Sequence, residues 1–205
     1  MDDIVVIDDY MSDWEQLRIQ NVVLHEYFNW FYQKSSYFYS NEHKDSYNLS
    51  LQSNYIDNFQ FAHNLYHPSE GVKSDYFKHF AVLLKYFNLE NYVLRRMKVN
   101  MTLPLASKTK EQAGIPHVDL PGMQNYLTAI YYATESDGDT IIFDRKSIDD
   151  NSEKNIDFWK IGIAKRITPK RGRLVVFDGT RLHAGNWPST DRPRVVFNIN
   201  MQNLS

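Results

Sequence analysis

Apolar positions in this chain change their period about ninety residues in. Before that point they recur mostly at helical intervals; beyond it they alternate. Residues 4–7 (IVVI) predict a short strand. Ser12 then opens SDWE with Glu15 three positions on, a reciprocal capping pattern for a helix start. Trp14, Leu17, Val22, Leu24, Tyr27 and Phe28 follow at roughly helical spacing, which predicts a helix to about Phe31. Residues 35–57, rich in Ser, Tyr and Asn, show no period and read as a loop or short irregular strands. Residues 58–66 (NFQFAHNLY) alternate and predict a strand. After Ser74, the positions Tyr76, Phe77, Phe80, Leu83, Leu84 and Phe87 predict a second helix with one buried face.

From Tyr92 the period is two. Val93, Met97, Val99 and Met101 share one face, while Arg96, Lys98, Asn100 and Thr102 share the other. Further strands are predicted at 125–133, 140–143, 161–167, 173–177, 182–184 and 194–201. They are punctuated by Gly122, Asp137-Gly138, Pro169, Gly172, Asp178-Gly179, Gly185 and Pro188. The polar run 144–159 reads as a surface loop. Many short strands at near-regular spacing predict a β-sandwich or barrel, with the early helices on one sheet face.

Composition narrows the picture. At 205 residues the chain reads as a single domain: residues 1–90 form a helical and irregular supporting part, residues 91–205 the β core. Aromatics at 15% supply a large core. A net charge of -2 gives no basic surface for nucleic acid. The absence of cysteine excludes disulfides, thiolate metal sites and a thiol nucleophile. The acidic start MDDIVVIDDY is no secretory signal, and no stretch reaches the ~20 apolar residues of a membrane span. These features lead us to expect a soluble, cytoplasmic protein without membrane contact.

The candidate chemistry lies in GIPHVDLP. His117 and Asp119, at i and i+2 on extended backbone, point to one face. His183 follows the strand and tight turn of RLVVFDGTR, and Arg194 opens the last strand. Two imidazoles and one carboxylate make a facial triad, a set that suits non-haem Fe(II) and leaves positions open. A nearby arginine, whose fork grips carboxylates, adds a small dicarboxylate cosubstrate. His63 and His67 at i, i+4 would suit a helical metal pair, but their segment reads as strand.

HVD, then H, then R, set among YLTAIYY, GDTIIF and HAGNWPSTDRPR, resembles the 2-oxoglutarate and Fe(II)-dependent dioxygenases. The likeness is to the prolyl-4-hydroxylase-like and phytanoyl-CoA-hydroxylase-like branches, over about Tyr92 to Met201. The first ninety residues loosely resemble the helical part of small phage and bacterial members. The resemblance implies a double-stranded β-helix, a distorted jelly roll. It also implies Fe(II), 2-oxoglutarate and O2 as cofactor and cosubstrates, with His117, Asp119 and His183 as the catalytic iron ligands.

Arg194, eleven residues after His183, would hold the far carboxylate, as in the phytanoyl-CoA branch. Arg192, nine after, has the spacing of some prolyl hydroxylases. Arg194 is favoured because it leads straight into VVFNIN, whereas Arg192 precedes Pro193. Tyr132 matches a tyrosine that assists the carboxylate. By strand parity Thr128 and Asn198 join the cosubstrate pocket, and Arg96, Lys98 and Asn100 line that pocket or the substrate's. Asp119 favours hydroxylation, since halogenating members carry a small residue there. The implied reaction hydroxylates a C–H bond of a peptide side chain or small metabolite, releasing succinate and CO2. Two rivals stay open: a non-catalytic jelly-roll binding protein, and a cupin-type metalloenzyme not using 2-oxoglutarate. The latter usually carries an HxH cluster, and none occurs in this chain.

Overall fold

The computed structural model describes residues 4–35, 55–56, 58–87, 89–105, 113–147 and 161–204. The strands in chain order are β1 (Val5–Ile7), β2 (Phe31–Gln33), β3 (Tyr55–Ile56), β4 (Gln60–His67), β5 (Gly71–Val72), β6 (Tyr92–Thr102), β7 (Ala113–Gly114), β8 (Tyr126–Tyr132), β9 (Thr140–Lys146), β10 (Ile163–Ile167), β11 (Leu174–Asp178), β12 (Arg181–Gly185) and β13 (Arg194–Asn203). An eight-stranded antiparallel sheet runs β1-β11-β8-β13-β6-β4-β2, with β5 on β4. A smaller antiparallel sheet runs β10-β9-β12, and β3 pairs with β7 in parallel. The two antiparallel sheets make the jelly roll.

Helices α1 (Asp13–Val23) and α2 (Phe77–Phe80), with a 3-10 turn at Ala81–Tyr86, cover the outer face of the large sheet. That sheet is therefore buried on both faces, and eight consecutive residues of β13 are buried. Val195, Phe197, Ile199 and Met201 pack under the helices, against Phe80, Leu83, Tyr131 and Val99. Their neighbours Arg194, Val196, Asn198 and Asn200 face the gap between the sheets. There Val196, Ile130 and Tyr132 meet Ile142, Val175 and Phe177.

The capping box of α1 is present: Glu15 N donates to Ser12 Oγ, and Ser12 N to Glu15 Oε2. The helix nevertheless ends at Val23 rather than near Phe31, because Phe28 turns back into the core against Phe80, Tyr76 and His63. Its buried face is Gln16, Ile19 and Val23, while Trp14 and Tyr27 are 70% and 73% exposed. Trp14 instead packs under Arg18. The second predicted helix is one α turn followed by the 3-10 turn. Both windings carry Phe80, Leu83, Leu84 and Phe87 into the core.

The first ninety residues are richer in strand than expected, since β1, β2, β4 and β5 all join the large sheet. On β6 the predicted alternation breaks once. Asn200 pairs with Arg96 but Met201 pairs with Leu94, so Arg95 is an extra residue, a β-bulge. Tyr92 and Leu94 therefore share the core face with Met97, Val99 and Met101, and Val93 does not. Residues 148–159 of the polar loop and 36–54 and 57 of the Ser/Tyr/Asn stretch lie outside the described residues; residues 144–146 extend β9. Among the described residues no helix is long and apolar enough to cross a membrane.

Candidate active site

His117 and His183 meet by backbone pairing. His117 N donates to His183 O at 3.0 Å and His183 N to His117 O at 2.9 Å. Residues opposite each other on adjacent strands carry side chains to the same face, and the two rings lie 4.9 Å apart between centroids. Two residues after His117, Asp119 reaches across to the large sheet. One ligand atom from each of His117, Asp119 and His183 lies within 4.8 Å of the others.

Each ligand is oriented from behind. The Nδ1 atoms of His117 and His183 face the carbonyls of Ile115 (2.8 Å) and Arg181 (3.2 Å), which turns each Nε2 inward. Asn198 Nδ2 donates to both oxygens of Asp119 at 3.0 Å, Asn200 Nδ2 donates to Oδ2 at 3.1 Å, and Arg96 pairs with Oδ1. Thr128 Oγ1 lies 3.5 Å from Oδ2 and accepts from Asn200 at 3.0 Å. Burial pushes the Asp119 carboxyl up, but Arg96 and His183 outweigh it and hold it well below the usual range. Burial and the adjacent His183 push His117 down to about 4, so its imidazole is neutral, the form that binds metal.

The donor set passes a simple test for a metal. His183 Nε2 is buried and has no hydrogen-bond partner, yet it sits 3.4 Å from Asp119 Oδ2. A shared cation would satisfy this orphaned atom and the carboxylate together. Two imidazoles with one carboxylate suit Fe(II).

Arg194 lies at the other end of the same cavity, which His117, Asp119, His183, Thr140 and Asn198 also line. It is 5% exposed, and among the described residues no carboxylate pairs with it. Its Nε donates to Gly138 O at 2.8 Å and its Nη2 to Thr140 Oγ1 at 2.7 Å. The guanidinium lies 5.9 Å over the Tyr132 ring. Tyr132 also donates its hydroxyl proton to Thr140 at 2.6 Å. Thr140 thus accepts twice and keeps its own proton to donate into the cavity. Gly138 is required here: a Cβ would stand 3.1 Å from Arg194 Cδ and 2.6 Å from Asn186 O.

Arg192 lies elsewhere, its side chain 66% exposed beside Glu135 at 3.4 Å. Thr128 and Asn198, expected beside the cosubstrate, both contact Asp119. Sequence reasoning passed over Asn200 and Thr140. Asn200 was available by parity, since it shares a strand face with Arg194 and Asn198. Thr140 carried no sequence signal. His63 is a satisfied core residue, 2.6 Å from Asn29 O and 2.8 Å from Ser74 Oγ.

No protein-family model matches the sequence, and no curated protein matches it. Solved structures do match in shape. A 2OG-Fe(II) oxygenase family oxidoreductase from Burkholderia pseudomallei superposes with a TM-score of 0.59 at 10% identity, over 97% of this chain and 84% of that one. A prolyl hydroxylase from Trichoplax adhaerens, in complex with a hypoxia-inducible-factor peptide, gives 0.56 at 13%, over 98% and 83%. The alpha-ketoglutarate-dependent epimerase SnoN of nogalamycin biosynthesis gives 0.56 at 14%, over 98% and 78%. The chain has the fold of the 2OG-Fe(II) oxygenases. Within that fold the His117–Asp119–His183 cluster is held between the two sheets, and Arg194 lies on the inner face of β13.

Proposed function

We propose that this chain is a non-haem Fe(II)- and 2-oxoglutarate-dependent oxygenase that hydroxylates a C–H bond of a small metabolite or peptide side chain. The carrying observation is that one buried cavity is lined by the His117/Asp119/His183 cluster and by a guanidinium without a carboxylate partner. A buried unpaired cation is costly unless an anion arrives, and a dicarboxylate cosubstrate is such an anion. Bound Fe(II) with 2-oxoglutarate and O2 supplies oxidative decarboxylation, giving succinate and CO2 and an oxidant able to attack C–H bonds.

The residues supply position and charge. Arg194 and the free Thr140 proton receive the far carboxylate, and Tyr132 supports both from below. His117 and His183 present Nε2, while Asp119 is held ionised by Arg96 and fixed by Asn198 and Asn200. Ile130 and Val196 line the cavity with apolar surface and exclude water. Anaerobic addition of Fe(II) and 2-oxoglutarate should produce a weak visible absorption band, and air with substrate should release succinate. A protein that gives no band under saturating Fe(II) and 2-oxoglutarate would instead be a jelly-roll binder or a cupin-type metalloenzyme.

A further inference from the structure

A second cation, on β6, faces the same cavity. Lys98 is 8% exposed, and among the described residues no carboxylate or hydrogen-bond acceptor pairs with it. It sits opposite Asn198 in the β6–β13 register, whereas Arg194 sits opposite Thr102. Four residues along a strand are about 13 Å, so the two cations belong to different parts of the cavity. The wall running from Lys98 towards the Arg194 end is also unsatisfied. Asn100 Oδ1, Thr102 Oγ1 and Asn198 Oδ1 are buried, line the cavity and have no hydrogen-bond partner. The two amide oxygens are acceptors, so the occupant must bring a hydrogen-bond donor in addition to the anion that suits Lys98.

The reading above accounts for both carboxylates of 2-oxoglutarate, one at Arg194 and one at the metal. With Fe(II) and 2-oxoglutarate bound and Arg96 paired with Asp119, the two lining cations Arg194 and Lys98 leave the cavity net positive. The far carboxylate is assigned to Arg194, and Lys98 has no anion assigned to it. We propose that Lys98, with Asn100 beside it, forms a subsite for the substrate's own carboxylate, so that the oxygenated substrate is a small carboxylate-bearing molecule. This rests on the oxygenase reading and narrows its substrate class. Burial and the neighbouring Arg96 push the Lys98 amine down to about 8, so it remains mostly cationic at neutral pH. A charge-assisted hydrogen bond to a carboxylate is the strong interaction open to such a group.

The test loads the full chain with Mn(II) and 2-oxoglutarate and titrates acetate, then its neutral isostere acetamide, by calorimetry. Wild-type protein is expected to bind acetate about tenfold or more tightly than acetamide. Lys98→Met should erase that preference while its 2-oxoglutarate Kd stays within about twofold of wild type. Lys98→Arg should retain the preference, and circular dichroism checks the fold of both variants. Equal binding of acetate and acetamide by wild type overturns the subsite. So does an about tenfold loss of 2-oxoglutarate affinity in Lys98→Met, which would make Lys98 a cosubstrate group. Wild-type protein that binds no 2-oxoglutarate counts against the oxygenase reading itself, a result distinct from either of these.

Discussion

Replacing Arg194 with Met separates binding from stability. In the free protein the guanidinium makes two hydrogen bonds, to Gly138 and Thr140, each worth about 1 kcal/mol net. Met forfeits both but removes a buried cation that has no carboxylate partner, and such a cation carries a desolvation cost of several kcal/mol. The opposed effects should leave the free protein within about 2 kcal/mol of wild type. Binding has no such offset. Truncating one partner of a buried charged pair costs about 2–5 kcal/mol, which is roughly 30- to 5,000-fold in Kd for 2-oxoglutarate. At a cosubstrate concentration about 100 times the wild-type Kd, ligand stabilises wild type by about 2.7 kcal/mol. For a chain of 205 residues that raises Tm by about 5–11 °C. In Arg194→Met at the same concentration the shift should fall to about 3 °C or less. Thermal unfolding with Mn(II), with and without 2-oxoglutarate, measures both quantities. A full shift in Arg194→Met, together with its loss in Arg192→Met, would refute the assignment of the cosubstrate anchor to Arg194.

Three further outcomes are expected. Asn200→Leu removes the amide that fixes Asp119 Oδ2 and should weaken Mn(II) binding about 10- to 100-fold, read by metal titration, with the fold retained by circular dichroism. Phe197→Ala empties a fully buried site between Phe80 and Tyr131 and should cost about 3–5 kcal/mol in urea unfolding. Asp137 accepts hydrogen bonds from Ser189 and Thr190, which outweigh the upward push of burial and hold it at about 2. Its contribution is present above the unfolded value of 3.8 and is lost as pH falls through about 2. Wild type should therefore exceed Asp137→Asn by about 1 kcal/mol or less at pH 7, discounted for exposure, and the gap should close in acid.

The strands were legible because alternation survives wherever a sheet has one dry and one polar face, as along β6 from Arg96 to Thr102. The convergence of His117, Asp119 and His183 followed from their residue types and order. Helix phase was less legible. Trp14 and Leu17 have the larger apolar side chains on α1, yet the helix buries Gln16, whose amide donates to Met11 O at 2.8 Å. A polar side chain that satisfies itself internally breaks a rule based on hydrophobicity. Spacing predicts a longer α1 than the observed one because Phe28 keeps the helical interval while its backbone has already turned. Register defects are invisible to a count of alternating positions, which is why Val93 lies on the opposite side of β6 from the one alternation predicts.

The defect at Arg95 also bears on how this strand tolerates a change of length. Leu94 and Arg96 already stand on opposite faces and pair with consecutive residues of β13. Excising Arg95 would thus restore an ordinary pleat without inverting any side chain on either flank. Deletion at this one position is predicted to be silent for packing and to release only Gln202 from its guanidinium partner. A deletion two positions further on would turn Arg96 away from the carboxylate that it faces.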